Sequence, residues 1–76
     1  MAGKPMPADC FLRNLRVFKV VGGRKVWDSE DGERLYTWDG LHGEVEVFNK
    51  RGRHLSVMDP SGKVIKEAVR GRTLDV

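Results

Sequence analysis

Cysteine is almost missing from these 76 residues. Cys10 stands alone, so no internal disulfide braces the fold. The chain therefore suits a reducing compartment. Long apolar runs are missing too: the stretch from Phe11 to Val21 is broken by Arg13, Arg16 and Lys19, which excludes a bilayer span. The start of the chain carries Pro5, Pro7 and a single early lysine, which is not a secretory leader pattern. There is no internal repeat and no low-complexity tract. At this length the chain is read as one domain, residues 1–76. A domain this small buries only about 60% of its unfolded surface, so half-buried charged and aromatic side chains must share the packing.

Fourteen Lys and Arg face eleven Asp and Glu, for a formal charge of +3 and a pI near 9.4. That balance favours polyanions modestly. The distribution is more telling. Arg13, Arg16, Lys19, Arg24 and Lys25 precede an acidic centre, and Lys50, Arg51, Arg53, Lys63, Lys66, Arg70 and Arg72 follow it. Acidic residues gather at Asp28–Glu33 and Asp39–Glu46. Such an order fits a centre that does chemistry between flanks that hold phosphates. A mixed, solvated surface is the plain alternative.

The fold is read as α+β, mainly β. Residues 1–23 form a lead and a short helix. Asp9 is a candidate N-cap, Phe11, Leu15 and Phe18 recur at helical spacing over 10–20, and Gly22-Gly23 stops the element. Val17, Val20 and Val21 argue instead for a strand there. From Arg24 the period is two. Strands are expected at 24–27, 34–38, 44–49, 54–58 and 63–66, separated by turns at Asp28–Gly32, Lys50–Gly52 and Asp59–Gly62. Turns about every ten residues indicate an antiparallel meander of about five strands. Leu55 and Val57 are read as inward, His54 as a surface residue, and the tail from Glu67 as basic and poorly defined.

The richest stretch is Tyr36-Thr37-Trp38-Asp39-Gly40-Leu41-His42-Gly43-Glu44-Val45-Glu46. Glu44 and Glu46, two apart on a strand, share a face, while Val45 and Val47 take the opposite, buried one. Asp39 and His42 lie within about 10 Å of each other even on an extended chain, and nearer once the glycines bend the loop. RNA cleavage by transesterification needs a base for the 2′-hydroxyl, an acid for the departing 5′-oxygen and a donor for the phosphorane charge. Histidine serves as acid or base near neutrality, a neighbouring Glu is the other partner, and arginine clamps phosphate with its planar fork. Tyr36 and Trp38 are candidates to stack on bases, although such aromatics more often pack a core or an edge. Asp39, His42 and Glu46 do not match a recognised metal-ligand spacing, and a second convincing His or Cys is lacking, so no metal and no cofactor is expected.

Taken with Arg24–Trp27 and Gly32, that stretch resembles the cytotoxic ribonuclease domain of the ribosomal-RNA-cleaving (E-group) colicins and related bacteriocins, whose pattern is Tyr-x-Trp-Asp-x-x-His-Gly-Glu-x-Glu. The likeness runs on through His54-Leu55, Asp59-Pro60, Gly62 and Lys66 and ends near Arg72, so it covers about residues 24–72, the catalytic sheet. It implies a strongly twisted antiparallel sheet with a short N-terminal helix. It also implies metal-independent cleavage of one bond at the decoding centre of 16S ribosomal RNA, within the 30S subunit of the 70S ribosome. Carried over, the catalytic residues fall on Asp39, His42, Glu46 and Arg72, with Arg70 as the fallback for the arginine. Arg24 matches a substrate-contacting basic position, and Tyr36, Trp38, Glu44 and Arg70 join it as substrate-binding candidates. Glu46 is the general base, His42 the acid or phosphorane stabiliser, Asp39 the residue that orients His42, and Arg72 the neutralising cation; the first two roles are exchangeable.

The resemblance also implies a protein inhibitor, an acidic antitoxin or immunity protein drawn to the basic flanks. Family members sit at the end of long toxins. Here residues 1–23 read as part of a compact unit, which favours a self-contained toxin acting in the bacterial cytoplasm over an excised domain delivered from outside. The competing readings are a non-catalytic RNA-binding β-module, a small protein-interaction domain with an acidic hairpin, and a ribonuclease acting on another RNA.

Overall fold

Glycine and Asx turns join each strand to the next, so the chain folds as a meander. The computed structural model describes residues 3–74. It holds β1 (Arg16–Val21), β2 (Arg24–Asp28), β3 (Arg34–Asp39), β4 (Glu44–Asn49), β5 (His54–Met58) and β6 (Val64–Glu67), joined in sequence order into one antiparallel sheet. The Asn49 side chain accepts the N–H groups of Arg51 and Arg53 across one turn, and Asp59 those of Ser61 and Lys63 across another. These are the local side-chain bonds that favour Asn and Asp in turns.

The expected N-terminal helix is not there. Phe11–Asn14 makes a single 3-10 turn, its cap position is Cys10 rather than Asp9, and Arg16–Val21 is a strand. The sheet therefore has six strands, not five. β-Branched Val17, Val20 and Val21 prevail over the helical spacing of Phe11, Leu15 and Phe18. Gly22 and Gly23, both at positive φ (57° and 79°), close the hairpin between β1 and β2 instead of ending a helix.

The two faces are covered by opposite ends of the chain. On one, Trp27, Tyr36, Val45 and Val47 pack with Cys10 and Leu12, and Met6, Phe11 and Leu15 close over them. Leu12 and both valines have no exposed surface. On the other, Val26, Leu35 and Phe48 form a smaller cluster that Leu74 covers. The tail is thus placed: Arg53 bridges to Thr73, and Leu74 N–H donates to the Gly52 carbonyl at 2.7 Å. This second face carries the candidate site.

A bulge decides what β5 presents there. Glu46 pairs with Val57 and Val47 with Ser56, but Phe48 pairs with His54, leaving Leu55 as the extra residue. A bulge re-aims the side chains beyond it. Leu55 and Val57 therefore do not share a face: Leu55 packs with the Val45–Val47 cluster. His54 turns towards Phe48 and is buried at 2% exposure, which corrects its reading as a surface residue.

Candidate active site

The β3–β4 loop is built around Asp39. Its Oδ1 accepts the N–H groups of Leu41 (3.0 Å) and His42 (3.3 Å), and its carbonyl accepts Gly43 N–H at 2.8 Å. Gly43 sits at φ 69°, a left-handed conformation that a side chain would strain. From behind, the segment at Lys4 holds the same loop: Trp38 Nε1–H donates to the Lys4 carbonyl at 2.9 Å, and Lys4 N–H donates to Gly40.

His42 Nδ1 lies 2.8 Å from Asp39 Oδ2. The half-exposed imidazole is oriented by a carboxylate at Nδ1, and Nε2 has no hydrogen-bond partner among the described residues. Burial raises the Asp39 carboxyl pKa, but hydrogen bonds from the His42 side chain and backbone and from Leu41 outweigh it, so the net shift is downward. Asp39 and Glu44 stand directly opposite each other on β3 and β4. Their repulsion is relieved by His42 on one side and by Lys66 on the other, whose Nζ donates to Glu44 Oε1 at 3.0 Å.

Glu46 lies on the same face, opposite Thr37, and is only 8% exposed. Both its oxygens are held. Arg72 Nη1 donates to Oε1, and His54 Nε2 lies 2.8 Å from Oε2. His54 Nδ1 accepts the Val69 N–H at 2.8 Å, so the ring proton sits on Nε2 and His54 donates to the carboxylate. Arg24, Asp39, Glu46 and Arg72 line one cavity of about 260 Å³, with Thr37 and Thr73 in its wall.

Of the residues singled out in the sequence, the fold thus brings Arg24, Asp39, Glu46 and Arg72 to one cavity, with His42 bonded to it through Asp39. Glu44 sits beside Asp39. Arg70 lines a neighbouring cavity rather than this one. Tyr36 and Trp38 pack on the opposite face: Tyr36 is 9% exposed and meets Phe11 edge-on at 5.5 Å, and Trp38 packs against the same cluster. Burial raises the Tyr36 hydroxyl pKa. His54 is the residue whose role reading the sequence missed; its signal was the His54-Leu55 match within the family resemblance.

Asp39, His42 and Glu44 offer ligand atoms within 4.8 Å of one another, a set that could hold a divalent cation. The atoms concerned already have protein partners in His42–Asp39 and Lys66–Glu44. Among the described residues, no helix is long and apolar enough to cross a membrane.

An imidazole–carboxylate pair and a guanidinium–carboxylate pair on one sheet face, beside a cavity with a further arginine, define an acid–base site suited to phosphate esters. The comparisons agree with that class. The family model described as Cytotoxic matches residues 13–75, and the chain belongs to this family of colicin-type cytotoxic nuclease domains. It is 42% identical over 40 residues to Colicin E3 of Escherichia coli, a match covering 51% of this chain and 7% of that protein. To Cloacin, also of Escherichia coli, it is 38% identical over 47 residues, covering 59% of this chain and 8% of that one. The chain spans less than a tenth of the length of these curated relatives.

Proposed function

We propose that this chain is an endoribonuclease toxin that cleaves 16S ribosomal RNA at the decoding centre by metal-independent transesterification and so stops translation. The observation that carries this reading is the pairing of His42 with Asp39 and of Arg72 with Glu46 on one face, at a cavity that Arg24 also lines. Family membership narrows the chemistry to a cytotoxic nuclease.

In this mechanism the ribose 2′-oxygen attacks the adjacent phosphorus while Glu46 takes its proton. The bond from phosphorus to the 5′-oxygen breaks, and His42 gives its Nε2 proton to that oxygen. The products are a 2′,3′-cyclic phosphate and a 5′-hydroxyl. Asp39 holds the ring in the orientation that points Nε2 at the leaving group, and Arg72 and Arg24 neutralise the charge that builds on the phosphorane. Arg72 already touches the base, so clamp and base meet the same phosphate. His54 fixes the rotamer of Glu46. Glu44, tied to Lys66, stands at the edge of the substrate path. Tyr36 and Trp38, on the far face, support the site through packing and through the Lys4 contact rather than by stacking on bases.

The target in this reading is reached in the bacterial cytoplasm, and an acidic antitoxin or immunity protein covers the basic rim. Charge steering makes such a complex form fast and weaken with salt. The direct test exposes intact ribosomes to the protein and maps breaks in 16S RNA by primer extension. One discrete 3′-terminal fragment is expected. Breaks confined to transfer or messenger RNA would move the substrate elsewhere, and binding without any break would leave an RNA-binding module.

A further inference from the structure

Three arginines that the proposed chemistry does not use surround the site on one side. Arg53 and Arg70, together with Arg72, line a cavity of about 540 Å³ whose floor includes His54 and Thr73. Arg53 and Thr73 also line a smaller one of about 340 Å³ that reaches Arg51 and Asn49. The catalytic cavity shares Arg72 and Thr73 with the first of these, so the three run on from one another. Among the described residues, no carboxylate lines either of the two outer cavities.

These cations differ from four other basic groups of the molecule. Arg16, Lys50, Lys66 and Arg72 each pair with a carboxylate. Arg51, Arg53 and Arg70 pair with none among the described residues and are exposed. The wall that carries Arg53 and Arg70 is held by hydrogen bonds from backbone N–H groups. Val69 N–H donates to His54 Nδ1, His54 N–H to the Arg72 carbonyl, and Arg72 N–H to the Val69 carbonyl. Unpaired arginines on a fixed wall keep their forks free for an anion and lose less freedom on binding it.

We propose that Arg53 and Arg70, extended by Arg51, form a phosphate subsite that holds the RNA backbone next to the scissile phosphate. This rests on the nuclease reading for its register: a strand with one phosphate between Arg24 and Arg72 leaves the catalytic cavity past Thr73, and its neighbouring phosphates then lie along Arg70 and Arg53. The ligand is the sugar–phosphate backbone rather than a base edge, since the lining offers guanidinium groups and no aromatic platform.

The test measures binding of a single-stranded RNA oligonucleotide, made uncleavable by 2′-O-methylation, over a salt series. The parent, R53Q/R70Q and K19Q are compared; Lys19, counted in the sequence among the basic flanks, lies on β1, the edge strand opposite β6, and lines none of the three cavities. Each phosphate contact contributes about 0.7 to the slope of log affinity against log salt for a single strand, so R53Q/R70Q should lose about 1.4 from the slope and about ten-fold in affinity at low salt. K19Q should keep the parental slope. Circular dichroism checks that the exposed substitutions leave the fold unchanged. A parental slope in R53Q/R70Q overturns the subsite, as does unchanged RNA binding with lost binding of poly-glutamate, which would mark a face for acidic proteins. The nuclease reading is scored separately: an arginine-dependent slope in a protein that cuts no ribosomal RNA keeps the subsite and ends that reading, and cutting with an unaltered slope does the reverse.

Discussion

His54 donates from Nε2 to Glu46 Oε2 at 2.8 Å, and its side chain has no exposed surface. The two residues meet because one bulged residue, Leu55, shifts the register of β5. In the proposed mechanism Glu46 is the base that must meet a ribose hydroxyl in one orientation, and it then depends on such a support.

H54A should therefore lower kcat by roughly 10²-fold, the scale of a misplaced reacting group. It should also cost about 1–3 kcal/mol of stability, because Glu46 and the Val69 N–H each lose a buried partner. H54Q, which keeps a donor, should recover part of the rate. A purely structural role would leave the pH–rate profile alone, so its acid limb should move in H54A and stay fixed in L12A.

L12A tests the other face. Leu12 is fully buried under the sheet, and its truncation should destabilise by about 2–5 kcal/mol in urea unfolding. That is a large part of the roughly 4–11 kcal/mol a chain of this size commonly has. The folded fraction of L12A should cut RNA at the parental rate.

W38F removes the indole N–H that holds the Lys4 carbonyl behind the catalytic loop. The lost hydrogen bond should cost about 1 kcal/mol. Amide exchange should quicken over Gly40–Gly43, with a smaller change at Val45 and Val47. Uniform exchange across both segments would show that the contact does not restrain the loop.

Acid stability should follow the aspartates. The Arg16 guanidinium donates to both oxygens of Asp28 (3.2 and 2.6 Å) and lowers its carboxyl pKa against a smaller upward push from burial. Asp39 is lowered as well. A folded-state pKa below the unfolded one gives stability that is fully present above about 3.9, and is lost as pH falls through the folded value. Unfolding free energy should thus be flat from neutral pH down to about 5 and fall steeply below about 4. D28N should be less stable at neutral pH and show a shallower acid decline.

Much of this was legible in the sequence. Strands β2 to β5 follow from period-two alternation between Asx and glycine turns, and Asp39, His42, Glu44 and Glu46 lie close enough in the chain for their loop to be read directly. Arg72 is different. It lies 26 residues from Glu46, and only the family resemblance brought the two together. β1 was hidden because an edge strand with mostly exposed residues shows no clean alternation, while Phe11 opens and the extended Leu15 caps a 3-10 turn whose ends mimic helical spacing. His54 was hidden for another reason. The face a strand residue takes reverses at a bulge, and the bulge is set by pairing with β4, not by local preference. The same holds for Arg53 and Arg70, which become neighbours only when the tail folds back across Gly52.

The central claim is that Glu46 and His42 carry out transesterification at one phosphate. The chemical nature of the new RNA ends tests it most directly. Ribosomes treated with the protein should yield a 16S fragment ending in a 2′,3′-cyclic phosphate, with a 5′-hydroxyl on its partner, and H42A or E46A should lower the yield by about 10²–10⁴-fold. A 3′-hydroxyl facing a 5′-phosphate would contradict it.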